Sequence, residues 1–348
     1  PPQAYDAPAV RQDTGAAQTA LAADDKGTLD LGGYQNVDCI RARDGLVYAA
    51  ACNGAALKKC SSDLVRTDGG HTAAVLTVDG ELTGFAFDGS GDLWLSILTP
   101  GGGSLCRAAH DSWGTAVEQV VTQIDGAPLG AVSAVEAAPD GRIYFAVAAA
   151  AGAADGLEST LRTELLAHTG TGCVYVYDPA ARSVQKVLGG VAGAAGLALS
   201  PDGNTLYVSD LASRCVWRVS ADAQDLTAGG KNCSSVVSGL PGYPGALAMD
   251  PDGTLYIGYR WARSSWLEKN AGSTLLRGIA LRAGRNLQEK LFSLPADAPC
   301  TEAVDTADGS WQRVVSGRGA GSVTALCPVE SRLYLGLADS EKVRSANL

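Results

Sequence analysis

The chain has 348 residues, 46% of them apolar, with 43 glycines, nine cysteines and a formal charge of −10 from 27 basic and 37 acidic side chains. That acidic balance excludes a nucleic-acid backbone as partner, because phosphate binding needs a concentrated positive surface. No apolar run approaches the roughly 18 residues of a membrane-spanning helix, and the apolar content provides for a large core, not a disordered chain.

Residues 1–26 have neither an initiator Met nor a signal-like apolar core. They read as an N-terminal extension of a mature or trimmed chain. From 27 to 348 a repeat organises the sequence as a single domain. A turn is followed by a short alternating strand with an aromatic near its middle. The copies are RDGLVYAA (43–50), GSGDLWLSI (89–97), PDGRIYFAV (139–147), PDGNTLYVSD (201–210), PDGTLYIGY (251–259) and ESRLYLGLAD (330–339). Their centres are placed at Val47, Trp94, Tyr144, Tyr207, Tyr256 and Tyr334. A period near fifty residues suits a four-stranded propeller blade. A β-sandwich would have to produce six ordered copies by coincidence.

The fourth unit shows the count: GLALS (196–200), TLYVSD (205–210), RCVWRVS (214–220) and SSVVSG (234–239) are four short strands separated by turn residues. The expected fold is therefore all-β, a six-bladed propeller of four-stranded antiparallel blades. A ring left open exposes two sheet edges. The sixth copy is followed only by KVRSANL (342–348), one strand short, so GTLDLGG (27–33) is expected to supply its outermost strand and close the ring with the C-terminus.

Two inserts interrupt the rhythm. Residues 148–168 place Leu157, Leu161 and Leu165 at helical spacing with Glu158, Arg162 and Glu164 between them, which predicts a short amphipathic helix. Residues 259–272 carry Arg260, Trp261, Arg263 and Trp266. Both inserts follow aromatic strands, so they should emerge on one face as a cap. Trp261 and Trp266 fit either a small core beneath the helix or the residue types of a recognition surface.

The remaining motifs are weaker. No C-x-x-C pair marks a zinc site. Nine cysteines allow at most four disulfides, and their number favours an oxidising compartment, hence a secreted, lumenal or cell-surface protein. Asn232-Cys233-Ser234 is a glycosylation acceptor. Ser209, His168 and Asp210 hold the residue types of a hydrolase triad, but no G-x-S-x-G elbow accompanies them. PGGGSLC (100–106) lacks the Lys-Ser/Thr of a phosphate loop and reads as a hairpin.

GCVYVYDPAARSVQKVL (172–188), GLALSPDGNTLYVSDLASRCVWRV (196–219), SGLPGYPGALAMDPDGTLYIG (238–258) and VESRLYLGLADSEKVRSANL (329–348) resemble the strictosidine synthase-like family. That group includes adipocyte plasma-membrane-associated protein-like propellers and is related to the gluconolactonase and paraoxonase six-bladed propellers. The resemblance implies an axial tunnel, with functional groups where the inner strands begin. The hydrolase relatives hold a calcium-type metal there. Their pattern matches at Asp38, but Ser133-Ala134, Ala194-Ala195-Gly196 and Pro244-Gly245-Ala246 stand at the other ligand positions. The general-base glutamate of the synthases falls at Thr324 or Ala325.

The expectation is a non-catalytic binding scaffold with no cofactor, calcium being the alternative. Its capped face, with Asp38, His168, Asp210, Arg260, Trp261 and Trp266, would take a protein partner or small ligand. The alternative is a lactonase/esterase-type hydrolase or synthase-like enzyme with a rearranged site on Asp38, His168 and Asp210.

Overall fold

Every aromatic repeat forms the second strand of a blade, because its Asp-Gly or equivalent turn reverses the chain directly after the inner strand. The computed structural model describes residues 1–12, 15–20, 28–291, 300–316, 322–338, 340 and 342–348. Six four-stranded antiparallel units follow one another around an axis. The inner strands are Val37–Arg43, Glu81–Phe87, Val132–Ala137, Ala194–Leu199, Gly242–Met249 and Val323–Val329. The second strands are Leu46–Cys52, Leu93–Thr99, Ile143–Val147, Thr205–Asp210, Thr254–Ala262 and Arg332–Leu337.

The register corrects one centre. Tyr48, not Val47, faces Arg41, as Trp94 faces Ala86, Tyr144 Glu136, Tyr207 Ala198, Tyr256 Ala248 and Tyr334 Cys327. With a period of two, a one-residue shift moves a side chain to the other face of the sheet. Tyr48 is accordingly buried, whereas Val47 is partly exposed.

The ring closes as expected. Leu29–Asp30 pairs antiparallel with Lys342–Asn347, Leu29 opposite Val343 and Asp30 opposite Lys342. Leu31 then enters the apolar junction of the first and sixth blades with Ile40, Val65 and Val343. The segment before it is also stitched to the propeller, since Ala17–Ala20 runs parallel to Trp311–Ser316 at the outer edge of the fifth blade. Adjacent inner strands approach closely: a Cβ on Gly196 would sit 2.2 Å from the Gly245 carbonyl oxygen, so that position has no room for a side chain.

The first insert forms α1 (Leu157–Ala167), with Leu157, Leu161 and Leu165 all buried. The second forms α2 (Ser265–Lys269), and the chain beyond its predicted end at residue 272 continues in two further helices, α3 (Thr274–Arg282) and α4 (Arg285–Leu291). Ser264 and Ser273 cap α2 and α3 by accepting the N–H of Leu267 and Leu276. Helices α3 and α4 carry no clear sequence signal because most of their large apolar residues, Leu275, Leu276, Ile279 and Leu287, are exposed. On α3, Leu275 and Ile279 are 72% and 54% exposed, while Arg277 and Ala280 face inward. Helix α3 packs on α1, and Trp261 and Leu267 join the cluster of Leu157, Leu161 and Leu165, so both inserts share one face.

Residues 1–12 lie along this cap. Gln3 N–H donates to Ala167 O at 2.8 Å, Arg11 N–H donates to Gly239 O at 2.7 Å, and Tyr5 stacks on His168 with centroids 3.9 Å apart. All nine cysteines are unbonded, six of them buried, so no disulfide framework supports the fold here.

Candidate functional site

One residue near the start of each inner strand is bulged out of its ladder: Asp38, Thr83, Ser133, Ala195 and Thr324, with Gly245-Ala246 in the fifth blade. A bulge re-aims the side chain it carries. Asp38, Thr83, Ser133, Ala195, Ala246 and Thr324 all line a narrow axial cavity of about 40 Å³. The three hydroxyls already have partners. Thr83 Oγ1 donates to Val132 O at 3.0 Å, Ser133 Oγ donates to Ala194 O at 2.6 Å, and Thr324 Oγ1 donates to Val37 O. Each bond ties one blade to the next.

A calcium-type ion takes about six to eight converging oxygens. The axis provides one carboxylate, three hydroxyls bonded to carbonyls, and alanine or glycine elsewhere. Among the described residues no three His, Cys, Asp or Glu side chains cluster as metal ligands. The donor set at the axis therefore does not fit such an ion.

Towards the opposite end, the positions three residues after the bulges carry Arg41 and Glu136. Arg41 Nη2 lies 2.6 Å from Glu136 Oε1, while its Nε and Nη2 donate to Phe85 O and Val135 O, each at 3.1 Å. One guanidinium thus joins the first three blades. Burial and the Glu136 carboxylate act on it in opposite directions, and its pKa is raised overall.

Above the axis, on the capped face, a cavity of about 350 Å³ is lined by Asn36, Asp38, Cys52, Glu81, Glu158 and Arg260, among others. Arg260 Nη2 stands 3.8 Å from Asp38 Oδ1. Glu81 Oε2 accepts the Leu157 N–H at 3.0 Å, so a carboxylate from the second blade caps α1 in the third. Burial pushes the Asp38 carboxyl well above its ordinary range; Glu81 adds to the rise and Arg260 opposes it. Burial likewise raises Glu81, against the Leu157 N–H and Arg260.

These directions give a pH prediction. A carboxyl whose folded pKa is raised binds more protons in the folded state, so its contribution to stability falls as pH rises through that range. Asp38→Asn removes the charge at every pH. The variant should melt roughly 2 °C or more above the parent at pH 7.5. The difference should shrink near pH 4, which paired thermal melts at the two pH values would measure.

The structure brings together only part of the expected set. Asp38 and Arg260 meet at the mouth; His168 and Asp210 do not line that cavity. His168 ends α1 in a left-handed conformation at φ 50°, stacks on Tyr5, and has its pKa lowered to about 4 by burial and by Arg214 and Arg277. Asp210 accepts from Trp217 Nε1 at 2.9 Å and Ser213 N–H at 3.1 Å, and Ser209 Oγ donates to Gly245 O at 2.7 Å. Ser209, His168 and Asp210 thus form no triad. Trp261 is buried in the cluster that holds Leu157, Leu161 and Leu165, and Trp266 packs against it half-buried, which matches the core reading of both.

Glu81 and the Cys52–Cys60 pair were missed. Glu81 stands two residues before its bulge, as Asn36 does in the first blade. The repeat carries the signal for it, since both polar residues hold the same place relative to their bulges.

Residues 97–263 match the family model described as SMP-30/Gluconolactonase/LRE-like region. No curated protein matches the sequence. Among solved structures, a gluconolactonase from Xanthomonas campestris is 16% identical, with a TM-score of 0.61 over 96% of this chain and 99% of that one. A calcium-binding protein, regucalcin, from Agrobacterium tumefaciens is 14% identical, with a TM-score of 0.59 over 95% of both chains. A luciferin-regenerating enzyme is 15% identical, with a TM-score of 0.58 over 93% of both. At such identities the likeness is one of fold. The chain is a six-bladed propeller, similar in fold to these structures, and its central stretch is similar in sequence to the SMP-30/gluconolactonase/LRE-like family.

Proposed function

We propose that this propeller is a binding scaffold whose mouth cavity takes a small polar molecule, one carrying a positive charge or several hydroxyl groups, without metal-dependent hydrolysis. The observation that carries the reading is the division of roles at the axis. Thr83, Ser133 and Thr324 give their hydroxyls to neighbouring blades, while Asp38, Glu81, Glu158 and Arg260 remain around a cavity of ligand size. Carboxylates suit an amine or a polyol, and Arg260 keeps Asp38 partly compensated. The capped face and the exposed Asn232 would suit a secreted or lumenal setting.

A thermal-shift panel of amines, sugars and sugar acids tests this. A saturable stabilisation by an amine or polyol, lost in Asp38→Asn, is the expected result. Stabilisation by calcium of several degrees, abolished by a chelator, would overturn it.

A second reading has one observation in its favour. A buried carboxyl with a raised pKa next to a guanidinium is a usable proton acceptor beside a group that can polarise a carbonyl. With the gluconolactonase likeness, that supports lactone hydrolysis by Asp38 and Arg260. Chelator-resistant turnover of an aldonolactone, lost in Asp38→Asn, would establish it.

A further inference from the structure

Cys52 ends the second strand of the first blade, and Cys60 immediately precedes the third strand, Ser61–Thr67. Cys52 pairs with Ser62, so Cys60, two residues earlier, is its diagonal neighbour at the loop end of the hairpin. Their Sγ atoms are 2.8 Å apart. A disulfide bond is about 2.05 Å long, so a movement of less than one ångström would join them. Among the described residues no other two cysteine sulfurs touch. The Cys39 and Cys300 thiols bond to Phe85 O and Val315 O, and that of Cys106 to Ser104 Oγ.

The position links this pair to the mouth cavity. The connecting residues 53–59 are exposed apart from Leu57, and Gly54, Ala55, Ala56 and Leu57 form part of the cavity wall. Cys52 lines the cavity beside them, where a small oxidant can reach it. Cys60 lines the same cavity but is buried.

We propose that Cys52 and Cys60 are a reversible thiol–disulfide pair that fixes this rim loop when oxidised by hydrogen peroxide entering the cavity. Cys52 attacks first. The hydrogen bond from Cys60 brings the Cys52 thiol down to about 7, while Cys60 is held above its usual range, and the thiolate is the nucleophile. The Cys52 thiolate bonds one peroxide oxygen, the O–O bond breaks, and the departing hydroxide takes a proton to become water. Cys60 then gives up its proton and attacks the Cys52 sulfenic sulfur. The S–O bond breaks and a second water leaves. Two thiols lose two electrons in all, and one peroxide is reduced to two waters. A dithiol reductant reverses the bond by exchange.

This inference stands whatever the cavity binds, and peptide mapping of the full chain tests it. Lys58 and Lys59 lie between the two cysteines, so trypsin separates the peptide from Asp44 that carries Cys52 from Cys60–Arg66. After brief treatment with hydrogen peroxide and alkylation, the two peptides should appear joined, and dithiothreitol should separate them. Amides of residues 53–57 should exchange several-fold more slowly in the oxidised protein. In Cys60→Ser, dimedone should trap a sulfenic acid at Cys52. Two separately alkylated peptides, Cys52 bonded to any other cysteine, or unchanged exchange in the rim loop would overturn the proposal. The mapping on the parent chain decides the matter even if the variant does not fold.

Discussion

A chain lacking residues 1–33 is expected to lose its cooperative thermal transition. The deletion removes the Leu29–Asp30 pairing with Val343 and Lys342, so Lys342–Asn347 becomes an open edge. It also removes Leu31, which is fully buried between the first and sixth blades with Ile40, Val65 and Val343. Truncating a buried leucine alone costs about 2–5 kcal/mol, a large share of the stability of a typical domain. Here the loss falls at the seam that makes the sheet assembly a ring. Deleting residues 1–12 alone is the control. It removes the Tyr5 and Gln3 contacts with the cap but leaves the seam, so a cooperative transition should persist at a lower midpoint. Circular dichroism melts of both chains decide the question. A sharp transition retained after loss of 1–33 would mean that closure does not depend on the N-terminal strand.

The second large effect is expected from Glu268→Ala, with a loss of about 3–5 kcal/mol in denaturant unfolding at pH 7. Glu268 Oε1 accepts from Arg214 Nε at 3.1 Å and from the Tyr243 hydroxyl at 2.8 Å, and its Oε2 lies 3.1 Å from Arg263 Nη1. Arg214 is completely buried, and its guanidinium lies over the rings of both Tyr5 and Tyr243. One partly buried carboxylate therefore answers two guanidiniums, with Arg277 nearby across Tyr5. The strain shows in Arg263, whose pKa burial and Arg214 push down. Removing the carboxylate leaves Arg214 and Arg263 facing each other without it, whereas Glu268→Gln keeps a hydrogen-bond acceptor and should cost less. A loss below about 1 kcal/mol for the alanine variant would show that the cap balances its charge by other means. The pH dependence of Asp38→Asn provides an independent check, because that site lies at the axis and shares no partner with Glu268.

The cap also shows why part of the molecule could not be recognised before the structure. A helix is read from sequence by the apolar stripe it buries. Helix α1 has that stripe in Leu157, Leu161 and Leu165. Helix α3 instead turns Arg277 inward, where it donates to Leu166 O at 2.8 Å and to Gln3 O. Leu275, Leu276 and Ile279 point outward, so the pattern carries no usable signal. Likewise Tyr5, in a stretch with no periodicity, finds its place only because His168, Arg214 and Arg277 converge on it.

Local chemistry in the sequence determined the six blades, the order of strands within each, the closing strand before Tyr34 and helix α1. Turn dipeptides, two-residue alternation and helical spacing all act between near neighbours, so a single chain displays them. Only the tertiary structure decided that Asp38 meets Arg260 and Glu81 around a cavity, that Arg41 reaches Glu136 across the axis, and that the axial hydroxyls serve the joints between blades. Those contacts join residues from different blades, and their geometry depends on the ring having closed. No spacing along the chain encodes it.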